Sequence, residues 1–209
     1  MAIIIFQLAV LIFSVIIHEL AHGAIALKLG DRTAKEAGRL TLNPLKHLDP
    51  IGSLLLPLFL YIIGGPVFGW AKPVPYNPYN LKNPKVGGGI IAAAGPLSNI
   101  LLALVFGIFF RLLQPWSNME LIAILLTLFS MIVIINISLA IFNLLPLPPL
   151  DGSNILFAFL PDSWQAAQRF LSRYGFYILF FLIIFQGLNF IIPAITFIYS
   201  LFTGDTVSV

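Results

Sequence analysis

Apolar residues run almost unbroken through four stretches of the chain, approximately Ile3 to Leu27, Ile90 to Leu113, Leu121 to Asn143 and Tyr174 to Phe202. Each reaches the roughly 20 helical residues needed to cross about 30 Å of hydrocarbon. A fifth apolar run, Ile51 to Ile63, has only 13 residues and is followed by Gly64, Gly65 and Pro66, which suits a re-entrant or interfacial element better than a full span. The pattern therefore predicts an all-α polytopic membrane protein with about four transmembrane helices, read as a single domain over residues 1–209.

Two interruptions refine this picture. The stretch Phe68 to Pro84 carries Pro73, Pro75, Pro78 and Pro84 beside Trp70, Tyr76 and Tyr79. Prolines at that density exclude a helix, and the aromatics suit a loop at the headgroup level. A small membrane-associated β-hairpin is expected here, with a sheet edge from Gly38 to Leu45 or from Phe68 to Tyr79 that could take an extended substrate by strand addition. From Gly87 the run GGGIIAAAG is nearly all small residues, which lets helix backbones approach closely.

Composition agrees with the pattern. Of 209 residues 59% are hydrophobic and only 9% charged, at a mean hydropathy of +1.01, so there is too little polar surface for a water-soluble globule. The 11 basic residues and net charge of +3 are scattered over loops, which argues against nucleic acid as a partner. They report topology instead. Nothing basic precedes the first span, and Lys28, Arg32, Lys35, Arg39 and Lys46 follow it, so the N-terminus faces out and the end of that span is cytoplasmic. The first span is read as retained, because no small-x-small cleavage site is followed by a soluble domain. The absence of cysteine leaves His, Asp and Glu as possible metal ligands.

Chemistry enters within the first span, where His18, Glu19, Leu20, Ala21 and His22 spell H-E-x-x-H. At about 100° per residue, histidines four apart share one helix face and can reach one metal ion, with Glu19 able to act on the metal's water. An ionisable residue at the centre of a membrane helix costs roughly 2.5–3.5 kcal/mol, so two histidines and a glutamate there imply a function.

A catalytic zinc usually takes three protein ligands and leaves a position for water. Glu120 and Asp205 fall on the predicted outer side, and Asp31 and Glu36 follow the first helix so closely that a solvated loop is their expected place. Asp151 lies in NLLPLPPLDG, Asn143 to Gly152, at the end of a span running from outside to inside, and hence at the level of His18 and His22. It reads either as the N-cap of a following helix or as the third ligand, and the H-E-x-x-H motif favours the ligand. His47 sits in a polar loop beside Lys46 and Asp49, is expected to be exposed or at headgroup level, and is left out of the metal shell.

His18-Glu19-Leu20-Ala21-His22, Gly95-Pro96-Leu97-Ser98-Asn99 and Asn143 to Gly152, in this order over most of the chain, resemble the site-2 protease family of intramembrane zinc metalloproteases in a minimal form without PDZ or CBS domain. The resemblance implies one Zn²⁺ held by His18, His22 and Asp151, with Glu19 as general base and then acid. It also implies a substrate peptide bond in or beside a transmembrane segment of another protein within the lipid bilayer. It supports a substrate-binding role for Asn143 as oxyanion donor, for which an interhelical hydrogen bond is the alternative. Asn99 is expected to bond across a tight helix pair or to line the site. The Trp70 to Pro84 loop resembles that of the compact bacterial and archaeal subgroup, which implies a prokaryotic cell membrane with the active site near its cytoplasmic face. A proteolytically inactive metal-binding scaffold or sensor would need the histidines but not Glu19, and a metal transporter would distribute ionisable residues along several spans. Nothing in the pattern points to a particular oligomeric state.

Overall fold

The computed structural model describes residues 1–55, 58, 59, 62 and 71–206. The helices are α1 (Ala2–Lys28), α2 (Thr33–Glu36), α3 (Pro84–Leu113), α4 (Glu120–Asn143), α5 (Asp151–Phe159), α6 (Gln165–Ile184) and α7 (Ile192–Thr203). Four helices among the described residues are long and apolar enough to cross a membrane: α1, α3 with its following turn, α4 and α6. Three coincide with the expected spans to within a few residues. The fourth does not. Where one span from Tyr174 to Phe202 is expected, helix begins nine positions earlier at Gln165, breaks at a 3₁₀ turn over Gly187–Ile191, and resumes as α7. The break has a local cause: Gln186 takes a left-handed φ of 54°, which ends α6, and Pro193 at the start of α7 cannot donate back along a continuous ladder.

α3 is the hub, packing against α1, α4, α5 and α7. Its start is defined by Asn83, whose side chain accepts from the Val86 N–H, and by Pro84 at the first helical position. The small residues that follow do what their size permits: a Cβ on Gly89 would press within 2.5 Å of the Ala158 Cβ in α5, so those two helices could not meet at this distance with a side chain there. Below this contact Ala26, Leu81 and Ile91 form one buried cluster. Ala103, Val133, Ile137 and Tyr199 form a second between α3, α4 and α7. Leu145, Leu150 and Leu179 join the proline-rich connection to α6, and Gly175 of α6 abuts Pro148 there.

No strand occurs among the described residues, which corrects the expected β-hairpin. Gly38 takes a positive φ of 63°, and Pro44 opens a 3₁₀ turn capped by Asn43, so Gly38 to Leu45 cannot run extended. In 71–79, prolines remove donors, and three of the remaining amides are turned inward: Lys72 donates to the His47 carbonyl, Val74 to Glu19 and Asn77 to Asp31. Residues 68–70 of the second expected edge, and positions 56, 57, 60, 61 and 63 of the expected re-entrant element Ile51 to Ile63, lie outside the described residues. The start of that element is a π-helical turn over Pro50–Leu55.

Candidate metal centre

The metal-site pattern in α1 is positioned by where α1 meets the hub. The His18 and His22 rings stand on one face, their centroids 4.7 Å apart at 87°, as a four-residue spacing requires. Opposite them α3 presents Gly95, which has no side chain to fill the space: a Cβ there would lie 2.5 Å from His18 Nε2 and closer still to His22 Nε2. The third side comes from the first residue of α5. Asp151 is not the N-cap of that helix, a position held by Leu150 without any side-chain cap. Its carboxylate turns to the histidines instead, with Oδ2 3.0 Å from His18 Nε2 and 3.3 Å from His22 Nε2.

Both imidazoles are held from behind. His18 Nδ1 donates to Asn99 Oδ1 at 2.6 Å, and His22 Nδ1 to the Ile91 carbonyl at 2.7 Å. With the proton on Nδ1 in each ring, the Nε2 lone pairs face Asp151, the tautomer a metal ligand needs. The Asn99 orientation follows from its own bonds, since its Nδ2 donates to Asn136 Oδ1 at 2.9 Å and to the Ser14 carbonyl at 3.3 Å. Asn136 in turn donates to Ser14 Oγ and the Ile132 carbonyl, both at 2.9 Å. Asn99, Asn136 and Ser14 are all buried, so a satisfied amide chain crosses from α4 through α3 to α1 and ends on a histidine. Sequence reasoning left the role of Asn99 open between packing and site; its contact is with the ring of His18. Asn136 was missed, although a lone Asn in an otherwise apolar span was the available signal.

The three groups fit a zinc ion. One donor atom from each of His18, His22 and Asp151 lies within 4.8 Å of the others. Tetrahedral ligands about 2.0–2.2 Å from zinc stand roughly 3.3–3.6 Å apart, close to the separations between Asp151 Oδ2 and the two nitrogens. Two neutral imidazoles and one carboxylate are also a donor set found in catalytic rather than structural zinc sites.

Around this cluster is a cavity of about 680 Å³ whose walls include Glu19, Val74, Asn143, Asn154, Phe176 and Phe180. Glu19 reaches it from α1, and its Oε2 accepts the Val74 N–H at 2.8 Å. Asn143 lies in the wall and donates one amide hydrogen to the Leu139 carbonyl at 2.9 Å. That is an intrahelical bond, not the interhelical one weighed from sequence, and the second amide hydrogen has no partner among the described residues. Glu120 is exposed at the start of α4, away from the cluster.

Two expectations are corrected. Asp31, expected in a solvated loop, is buried. Its Oδ1 accepts from the Thr33 amide and hydroxyl and from Asn80 Nδ2, and its Oδ2 from the Asn77 amide. Burial pushes its pKa up, but these donors outweigh burial and hold the carboxyl below the usual range. His47, expected to be exposed, is buried and donates from Nε2 to the Thr41 carbonyl at 2.8 Å.

Comparison with known proteins agrees with this chemistry. Peptidase family M50 matches residues 116–185. Three similar proteins are each named a putative zinc metalloprotease. YwhC of Bacillus subtilis is 44% identical over 179 residues, 84% of this chain and 77% of that protein. MJ0611 of Methanocaldococcus jannaschii is 33% identical over 165 residues, 79% and 75% of the two chains. Rip2 of Mycolicibacterium smegmatis is 30% identical over 184 residues, 85% and 66%. No solved structure matches the chain.

Proposed function

The chain belongs to peptidase family M50 and is a membrane-embedded zinc metalloprotease; we propose that it is an intramembrane endopeptidase that cuts a transmembrane segment of another protein near the cytoplasmic face. The observation that carries this reading is the convergence of two Nε2 atoms and one carboxylate oxygen beside Glu19, in a cavity walled by membrane-spanning helices. A metal-binding membrane scaffold has no use for a carboxylate placed there.

In this reading His18, His22 and Asp151 hold the zinc. When bound, zinc acidifies a water molecule towards a pKa of about 7 and polarises the scissile carbonyl. Glu19 takes the proton from the attacking water and returns it to the leaving amine. The Val74 amide holds one Glu19 oxygen, which leaves the other for that proton. Asn143 turns its second amide hydrogen to the oxygen that gains charge as the carbonyl is attacked, a contact of a kind worth roughly 2.7–4 kcal/mol in other enzymes. The amide chain behind His18 and the Ile91 carbonyl behind His22 keep both rings aimed at the metal.

The cytoplasmic placement rests on the basic residues after α1. Glu19→Gln tests the whole. The variant should retain one zinc per chain while losing cleavage of a transmembrane substrate reconstituted in liposomes by about three orders of magnitude or more. Cleavage at the wild-type rate would remove Glu19 from the mechanism, and a zinc-loaded wild type that does not cleave would leave a scaffold as the better description.

A further inference from the structure

Outside the metal centre two charged side chains are buried among the described residues, Asp31 and Arg39. Buried charges are costly unless their hydrogen bonds are made, and Arg39 is imperfectly served, because its Nε finds no partner among the described residues. Such groups are poor devices for stability alone. Beyond the bonds Asp31 takes from neighbouring Thr33, both residues hold one short segment of chain. Arg39 Nη2 donates to the Lys72 carbonyl at 2.5 Å and to the Pro73 carbonyl at 3.2 Å. Asp31 accepts the Asn77 amide at 2.8 Å and Asn80 Nδ2 at 2.7 Å. Between the two anchors Val74 donates to Glu19 Oε2.

In the six residues Lys72–Asn77 two are prolines without a donor, and the amides of Lys72, Val74 and Asn77 all turn inward. The segment is thus a strap clamped at both ends across the face of α1 that carries Glu19. Gly23, one turn beyond Glu19 on α1, gives it room: a Cβ there would press within 3.0 Å of Val74 Cγ1.

We propose that Asp31 and Arg39 are positioning residues for proteolysis, holding the Lys72–Asn80 strap so that the Val74 amide fixes the Glu19 carboxylate. The proposal rests on Glu19 being the general base. A carboxylate on a flexible side chain samples several rotamers, and misplacing a catalytic group by about 1 Å can cost on the order of a hundredfold in rate. Neither residue belongs to the metal cluster or lines its cavity, so both act through the strap.

The test uses the full-length zinc enzyme in detergent with a reconstituted transmembrane substrate. Asp31→Asn places an amide group where the Asn77 N–H needs an acceptor, and Arg39→Gln removes both carbonyl contacts. In each, amide hydrogen exchange of residues 72–80 should accelerate at least about tenfold, kcat should fall roughly ten- to a hundredfold, and KM and zinc content should stay within about twofold. Val74→Pro deletes the donor together with the valine side chain and should lower kcat by at least a similar factor; adding Asp31→Asn to it should lower kcat little further, because the two act through one bond.

Free exchange of the strap with an undiminished kcat would overturn the proposal, as would a loss confined to KM, which would make the strap a substrate-holding element. Should Asp31→Asn fail to fold, Val74→Pro alone decides, and wild-type kcat in that variant refutes the role. These outcomes are distinct from failure of the protease reading itself, in which the wild type does not cleave, or Glu19→Gln cleaves as well as it does.

Discussion

Replacing Asn99 by Leu keeps the shape of a fully buried side chain and removes its three hydrogen bonds: from His18 Nδ1 at 2.6 Å, to Asn136 Oδ1 at 2.9 Å and to the Ser14 carbonyl at 3.3 Å. All three partners are themselves buried. The decisive loss is on His18. Its Nδ1–H becomes a buried donor without an acceptor, at a cost of about 1–3 kcal/mol, and the ring escapes that cost by rotating or by moving its proton to Nε2. Either escape removes a metal ligand. Loss of such an outer partner typically weakens metal binding 10- to 100-fold, which is about 1.4–2.7 kcal/mol, so the two routes to the magnitude agree. The remaining groups add less to fold stability, since interhelical hydrogen bonds in membranes average about 0.6 kcal/mol. The assay is competition for zinc against a chromogenic chelator in detergent, with circular dichroism to confirm that the helices persist. Asn99→Leu should bind zinc 10- to 100-fold more weakly, and Asn136→Leu, one bond further away, should lose less than about tenfold. Wild-type zinc affinity in a folded Asn99→Leu protein would refute the idea that the amide chain governs the imidazole.

Two other perturbations follow from the same geometry. Gly95→Ala puts a methyl group within 2.5 Å of His18 Nε2, about 1 Å inside ordinary contact, whereas a metal site tolerates about 0.2 Å; zinc content after dialysis should fall below about one tenth of the wild-type value, and full occupancy would show that α3 can retreat without cost. Asp31 has a depressed pKa in the folded protein, so its stabilising contribution is present above the unfolded value of about 3.9 and is lost as pH falls through the folded value. Thermal unfolding in detergent should therefore separate wild type from Asp31→Asn at pH 7 and bring the two closer as pH falls below about 3.9, and a gap independent of pH would contradict this.

What was legible in the sequence follows the range of the interactions. The H-E-x-x-H spacing and the long apolar runs are local properties of α1, α3 and α4, and the helices stand where those runs lie. Asp151 was expected at the level of His18 and His22 because membrane topology fixes depth, which carries information across the 133 residues that separate it from His18 when packing does not. Asp31 was misjudged because its partners Asn77 and Asn80 stand 46 and 49 residues away, and no periodicity announces a loop that folds back onto a helix end. The break at Gln186 was half visible, since Gly187, Asn189 and Pro193 interrupt the apolar run, but an unbroken run and a broken one have the same composition. The absence of strands among the described residues near the site follows from Glu19, Asp31 and the His47 carbonyl taking backbone donors that a sheet edge would need, which is a tertiary fact.

The most direct test of the account is the zinc content of the purified chain and of its Asp151→Ala variant, measured by elemental analysis after removal of loosely bound metal. The account predicts one zinc per wild-type chain and less than about a tenth of that in Asp151→Ala. A wild-type chain without zinc, or an Asp151→Ala chain that keeps a full equivalent at undiminished affinity, would contradict it.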